Sequence, residues 1–162
     1  MKLLLISDTH ARPLPSELWA VVDAVDVVVH AGDWVTTDLL DDLEAVASRV
    51  IGCYGNNDGS ELRARLPEVA RADLDGVRLA VVHETGATQG REQRCARAYP
   101  DVDVLVFGHS HIPWDSTAPN GLRLLNPGSP TDRRRQPTFT WMTAEISGGK
   151  LGAVHLHHKE PS

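Results

Sequence analysis

The sequence predicts an α/β fold, largely parallel in its first two-thirds and mixed or antiparallel in its last third. Three observations predict it. Short apolar runs recur, each ending in Asp, Asn or His; stretches with helical spacing separate them; and after Pro113 the texture shifts to short segments joined by turns rich in Gly and Pro. The 162 residues suit one compact domain over 1–162, and 41% hydrophobic with 23% charged residues is an ordinary globular balance.

Leu3-Leu4-Leu5-Ile6 leads into Ser7-Asp8-Thr9-His10, and Val27-Val28-Val29 into His30-Ala31-Gly32-Asp33. Val50-Ile51 continues into Gly55-Asn56-Asn57-Asp58, Leu79-Ala80-Val81-Val82 into His83, and the run 102–107 into Gly108-His109-Ser110-His111. Such continuous β-branched runs read as strands buried on both faces. Residues 16–25 read as a helix with Ser16 as its cap. Residues 37–48 place Leu39, Leu40, Leu43, Val46 and Ala47 at helical spacing, and 88–98 form a more polar helix rich in Arg and Gln. Beyond Pro113, residues 122–125, 138–146 and 151–157 read as strands, with turns at Pro119-Asn120-Gly121 and Gly148-Gly149.

Sixteen Lys and Arg against 22 Asp and Glu leave a net charge of −6, which excludes a protein whose main task is packaging nucleic acid. The opening apolar run is too short for a secretion signal, and no stretch approaches the ~20 apolar residues that span a bilayer. Cys53 and Cys95 lack CxxC spacing and read as reduced thiols, so a cytoplasmic location is expected.

In open α/β sheets ligands bind at the carboxyl ends of strands. All five apolar runs end there in side chains that offer O or N to a divalent metal. Asp8 and His10 are two residues apart and would point the same way in extended backbone, as would His109 and His111. Glycines at 32, 55 and 108 precede Asp33, Asn56 and His109 and would let the chain turn sharply there. Each motif alone is an ordinary turn feature. Five in this order point to a metal site.

The set Asp8-Thr9-His10, Gly32-Asp33, Gly55-Asn56-Asn57-Asp58, His83 and Gly108-His109-Ser110-His111, with the turn Asn126-Pro127-Gly128-Ser129, resembles the calcineurin-like metallophosphoesterase superfamily. The likeness is to its small single-domain phosphodiesterase branch, which also includes the retromer subunit Vps29. The resemblance implies a four-layer α-β-β-α sandwich of two mixed sheets. It implies one metal held by Asp8, His10 and His111, a second by Asn56, His83 and His109, and Asp33 bridging them, with Asp33, Asn56 and His83 serving catalysis. Two divalent ions follow, manganese first, with iron, nickel or zinc also suited to such a donor set. The implied activity is hydrolysis of a small-molecule phosphate ester by a water activated between the ions. The competing reading is a non-catalytic, Vps29-like protein-binding scaffold. No membrane partner is expected, nucleic acid is disfavoured, and a homo-oligomer stays open.

Two departures from the family pattern stand out. Asn57 occupies the position where many members carry a His that protonates the leaving oxygen, and an amide cannot do so. After His83 the chain continues Glu84-Thr85-Gly86, where Glu84 either supports a ligand histidine or faces solvent. Arg133 and Arg134, in the run with Arg135, either meet a substrate phosphate or remain a solvated charge run. His30 reads as a supporting residue, Asp58 as a turn residue, Trp34 and Trp114 as packed aromatics, and His155, His157 and His158 as a polar strand end.

Overall fold

The structure, a computed structural model, describes residues 1–162. In chain order the elements are β1 (Lys2–Ile6), α1 (Ser16–Ala24), β2 (Val27–His30), α2 (Asp38–Val46), β3 (Val50–Gly52), α3 (Ser60–Arg65), β4 (Val69–Leu74) and β5 (Val77–Val82). They continue with α4 (Arg91–Ala98), β6 (Val104–Val106), β7 (Trp114–Thr117), β8 (Arg123–Asn126), β9 (Phe139–Ser147) and β10 (Lys150–Lys159). The strands form two five-stranded sheets, ordered β10-β9-β1-β2-β3 and β4-β5-β6-β8-β7. Each is mixed. β1, β2 and β3 run parallel, β9 pairs antiparallel with β1 and β10 antiparallel with β9; β5, β6 and β8 run parallel, flanked by antiparallel β4 and β7.

Side-chain alternation explains why the strand sequences are apolar without a break. Leu3, Leu5, Val27 and Val29 face inward against Leu79, Val81, Val104 and Val106 of the other sheet. The intervening Leu4, Ile6 and Val28 face outward and are covered by Leu18 and Val22 of α1 and Leu39, Leu40 and Leu43 of α2. On the far side, Ala80, Leu105 and Leu124 are covered by Cys95 of α4. Four layers result, α-β-β-α, with strands buried on both faces.

The residue pattern read as one parallel sheet is thus divided between two sheets. Two strands and a helix also go beyond the pattern: β4, β7 and α3. The β4–β5 hairpin closes on Asp75-Gly76, both at positive φ (53° and 87°), the two-residue turn favoured between twisted antiparallel strands. That Asp-Gly pair was the available signal. Ser16 is the first helical residue and not the cap; Pro15 holds the cap position and supplies no side-chain bond. Its fixed φ of −51° sets the entry angle of the helix instead. The turns at Pro119-Asn120-Gly121 and Gly148-Gly149 lie where the sequence placed them, between β7 and β8 and between β9 and β10.

Leu4 is fully buried between β1 and the α1–α2 layer. Leu4→Ala is expected to destabilise the fold by about 2–5 kcal/mol, seen as a lower urea midpoint with an unchanged slope.

Candidate metal centre

The carboxyl ends of β1, β2 and β3 in one sheet and β5 and β6 in the other converge at one end of the sandwich. Main-chain bonds stitch the loops together. Asp8 N–H donates to Gly32 O at 2.9 Å, His10 N–H to Asp33 O at 3.0 Å, and Gly108 N–H to His83 O at 2.9 Å. Bonds also cross between the sheets, among them His109 N–H to Asp8 Oδ2 at 3.0 Å and Ser129 Oγ–H to Asp8 O at 2.9 Å.

Two of the glycines act through closeness rather than through turning. A Cβ on Gly55 would overlap the Asp33 carboxylate, and one on Gly108 would overlap Ser7 and Asp8. Gly32 alone of the three has positive φ, at 99°. The expectation of extended backbone at the paired ligands also fails. Asp8, His10, Asp33, His109 and His111 are all left-handed, with φ between 51° and 76°. Such conformations cost on the order of 1 kcal/mol or more each outside glycine. Asp8 and His10 nevertheless converge, with His10 Nε2 3.9 Å from Asp8 Oδ1, whereas His109 and His111 part, His111 turning to Asp8 and His109 to His83.

Three histidines are tied at Nδ1 and aim Nε2 inward. His83 Nδ1 bonds Ala31 O at 2.7 Å, leaving Nε2 3.4 Å from Asp33 and 3.8 Å from Asp8. His10 Nδ1 lies 3.1 Å from the Asp132 carboxylate, with Nε2 3.3 Å from Asp33 and 3.9 Å from Asp8. His111 Nδ1 bonds the Asp132 carbonyl, with Nε2 3.6 Å from Asp8. His109 is reversed. Its Nδ1 faces His83 Nε2 at 3.4 Å, while Nε2 points out toward Glu84 at 3.8 Å, and its side chain is 44% exposed. Glu84 is therefore exposed yet beside a candidate ligand.

Asp33 is held from two directions. Asn57 donates its main-chain N–H to Oδ1 at 3.0 Å and its amide to Oδ2 at 2.8 Å. Burial would raise the proton affinity of Asp33, but the bonds from His83 and Asn57 outweigh it and keep the carboxyl well below the usual range. Asp8, more deeply buried, is pushed up by desolvation despite the opposing pull of His83. Burial holds His111 down against the attraction of Asp8, whereas at His83 it is outweighed by the bond to Asp33 and the charges of both carboxylates.

Beneath these residues lies a supporting layer the sequence reading only partly foresaw. Asp58 is more than a turn residue: its carboxylate accepts main-chain N–H bonds from Asp33 at 3.0 Å, Val35 at 2.7 Å and Gly55 at 2.7 Å. His30 is fully buried, stacks on Trp34 at 3.6 Å and accepts the Gly32 N–H. Burial and the neighbouring His83 hold its proton affinity well below normal, so it stays neutral. In the turn after β8, Ser129 donates to Asp8 O and Thr131 to Thr9 O, both within 2.9 Å. Trp114 is half-buried, its ring under the Arg91 guanidinium at 4.6 Å.

Of the remaining expected residues, Asn56 is exposed beside His83 in a cleft of about 250 Å³ also lined by Tyr54, Arg63, Glu68 and Glu84. Arg133 donates to Gln136 O and is occupied with its own turn. Arg134 is exposed, and its charge is felt at His111. His157 and His158 of β10 bond Thr143 of β9 and Thr138 just before it, in a region that carries none of the clustered ligands.

Two buried polar atoms have no hydrogen-bond partner, Asp8 Oδ1 and His111 Nε2, and they lie 3.6 Å apart. Buried polar groups are almost always paired, since leaving one bare costs about 1–3 kcal/mol. Asp8, His10 and His111 form one group able to hold a metal ion, and Asp8, Asp33 and His83 a second. The donors are carboxylate and imidazole, the mixed set that borderline divalent metals accept. The residues present therefore fit a metal.

The sequence profile of the calcineurin-like phosphoesterase superfamily domain matches residues 1–149. A probable metallophosphoesterase of Methanothermobacter thermautotrophicus is 32% identical over 99% of this chain and 95% of its own. A phosphodiesterase of Methanocaldococcus jannaschii is 25% identical over 68% of this chain and 74% of its own. The zinc complex of Vps29 from Entamoeba histolytica superposes with a TM-score of 0.77, covering 99% of both chains at 21% identity, a likeness of fold. No helix is long and apolar enough to cross a membrane.

Because Asp58 anchors three loop amides, Asp58→Ala should lower stability by about 3 kcal/mol in urea unfolding, and Asp58→Asn by less. Equal, negligible effects of the two would show that the amides find water instead.

Proposed function

The chain belongs to the calcineurin-like phosphoesterase superfamily, and on that premise we propose that it hydrolyses phosphate esters, phosphodiesters first, at a centre of two divalent ions. The observation that carries this reading is the pair of bare, buried atoms Asp8 Oδ1 and His111 Nε2. Asp8, His10 and His111 would hold one ion, and Asn56, His83 and His109 the other. Asp33, with one oxygen near both His10 and His83, would bridge. When bound, the ions supply Lewis-acid activation of water and neutralise charge that builds on the phosphoryl oxygens.

The chain's own residues prepare for this. Asp33 stays ionised and immobile through its bonds to Asn57. The Nδ1 anchors of His10, His83 and His111 present Nε2 lone pairs to the centre. Arg134 lies on the rim as the cation for a substrate oxygen, in preference to Arg133. Manganese is the expected native ion.

Asn57 spends its amide on Asp33 and offers no acidic proton, so the leaving group departs unassisted by this residue. Rates should fall steeply as the leaving-group pKa rises across a series of aryl and alkyl phosphodiesters. A flat series would overturn the assignment of Asn57.

The deciding assay measures hydrolysis of bis-p-nitrophenyl phosphate and p-nitrophenyl phosphate before and after chelation and Mn²⁺ re-addition. Metal-dependent diester hydrolysis that drops at least 10³-fold in Asp33→Ala is expected. No turnover with any divalent metal would replace the enzyme reading with the scaffold one.

A further inference from the structure

We infer that Asp132 is a positioning residue for the metal centre, one that makes the Asp8–His10–His111 position the tighter of the two. The inference rests on the two-ion reading above. It concerns a residue outside every motif that marks the centre.

Asp132 reaches two candidate ligands by two different groups. Its side-chain Oδ2 lies 3.1 Å from His10 Nδ1, and its main-chain carbonyl accepts from His111 Nδ1. The His111 bond requires the proton on Nδ1 and leaves Nε2 a free lone pair. His10 lies between two carboxylates, Asp132 at Nδ1 and Asp33 Oδ2 bonded to Nε2 at 3.3 Å, so that Asp132 is the group that draws a proton to Nδ1. Both Nε2 atoms then face Asp8 Oδ1, at 3.9 Å and 3.6 Å. The two rings meet edge to face at 4.8 Å, so neither can swing without displacing the other.

Asp132 is itself held. Its N–H donates to Ser129 Oγ at 2.8 Å, and Ser129 in turn donates to Asp8 O, linking Asp132 to the third ligand of the same group. Arg12, two residues after His10, donates to Thr131 O at 3.2 Å and places its guanidinium 3.8 Å from Asp132 Oδ1. The carboxylate is only 17% exposed. One residue thus faces the Nδ1 atoms of two histidines, fixes the tautomer of His111, opposes Asp33 for the proton of His10, and is tied to the carboxylate the two rings share.

At the second position His83 is tied at Nδ1 to Ala31 O, but the other two ligands lack such a support. His109 turns Nδ1 inward and has only exposed Glu84, 3.8 Å away, behind its other nitrogen, and Asn56 is exposed. Ligands held by hydrogen-bonded partners lose less freedom when they bind, and removing such a partner typically weakens metal affinity about 10–100-fold.

The experiment uses the full chain, with Asp132→Ala and Asp132→Asn, and two readouts. Long-range ¹H–¹⁵N NMR of the metal-free protein should show His10 and His111 both protonated at Nδ1. Asp132→Ala should shift His10 toward the other tautomer and leave His111 alone, because the main-chain carbonyl remains. Asp132→Asn keeps an oxygen acceptor and should restore His10. In calorimetric titration with Mn²⁺, the tighter of two sites should weaken about 10–100-fold in Asp132→Ala, recover most of that in Asp132→Asn, and leave the weaker site within about threefold. Equal weakening of both sites, or an unchanged His10 tautomer with unchanged affinity, would overturn the role of Asp132 while leaving the two-ion reading intact. A wild-type chain that binds no Mn²⁺ would overturn both.

Discussion

Asp8 sits where the two sheets meet, and its carboxylate is divided between two tasks. Oδ2 accepts the Ser7 hydroxyl at 2.6 Å and the His109 N–H at 3.0 Å, so it joins β1 of one sheet to the loop after β6 of the other. Oδ1 is buried and has no partner within the protein. The main chain of Asp8 is tied as well, its N–H to Gly32 and its carbonyl to Ser129. His10, His83 and His111 turn Nε2 toward this carboxylate and His109 bonds it through its N–H.

Holding the centre together strains the backbone. Five candidate ligands take left-handed conformations that L-residues avoid, and Val35, a β-branched residue, does so as well at 73°. The strain is offset by a polar frame below the ligands: Asp58 gathers three amides, Ser129 three bonds, and Asn57 fixes Asp33. Hydrogen bonds to a charged acceptor are worth about 1.5–3 kcal/mol, enough for a few of them to match several strained residues. Such concentration of strain in one set of loops, with regular strands behind it, is what a pre-organised site requires. Substitutions in the frame are therefore felt at the ligands without touching them.

Asn57 is committed to a single partner. Both its main chain and its amide serve the Asp33 carboxylate. That arrangement keeps Asp33 ionised at the centre, but it commits the amide and leaves no proton donor at that position. Glu84 and His109 occupy the open side, where the cleft past Asn56 and Arg63 gives access from solvent. The buried, well-supported side and the open, exposed side differ in chemistry as well as in access.

The strand runs other than β4 and β7, the helices α1, α2 and α4, and the five residues that the structure gathers into two groups, Asp8, His10, Asp33, His83 and His111, were legible in the sequence. Strands buried on both faces must be apolar throughout, and ligands must follow them directly, so both leave a local trace. The hairpin at Asp75-Gly76 left one too, though a weaker one. The partition of the strands into two sheets left no trace in the apolar pattern, because parallel strands of either sheet carry the same signature; it was legible only through the motif resemblance, which implied the two-sheet sandwich that the structure has. The supporting roles of Asp58 and Asp132 left no trace. Asp58 accepts from residues 23 and 25 positions away, and Asp132 supports His10 from the far end of the chain. An acidic side chain in a loop looks the same in sequence whether it faces water or anchors a buried ring. Residue types and spacing determined which atoms are offered to a ligand; only tertiary structure decided which groups hold those atoms still, because that depends on loops brought together by the packing of two sheets.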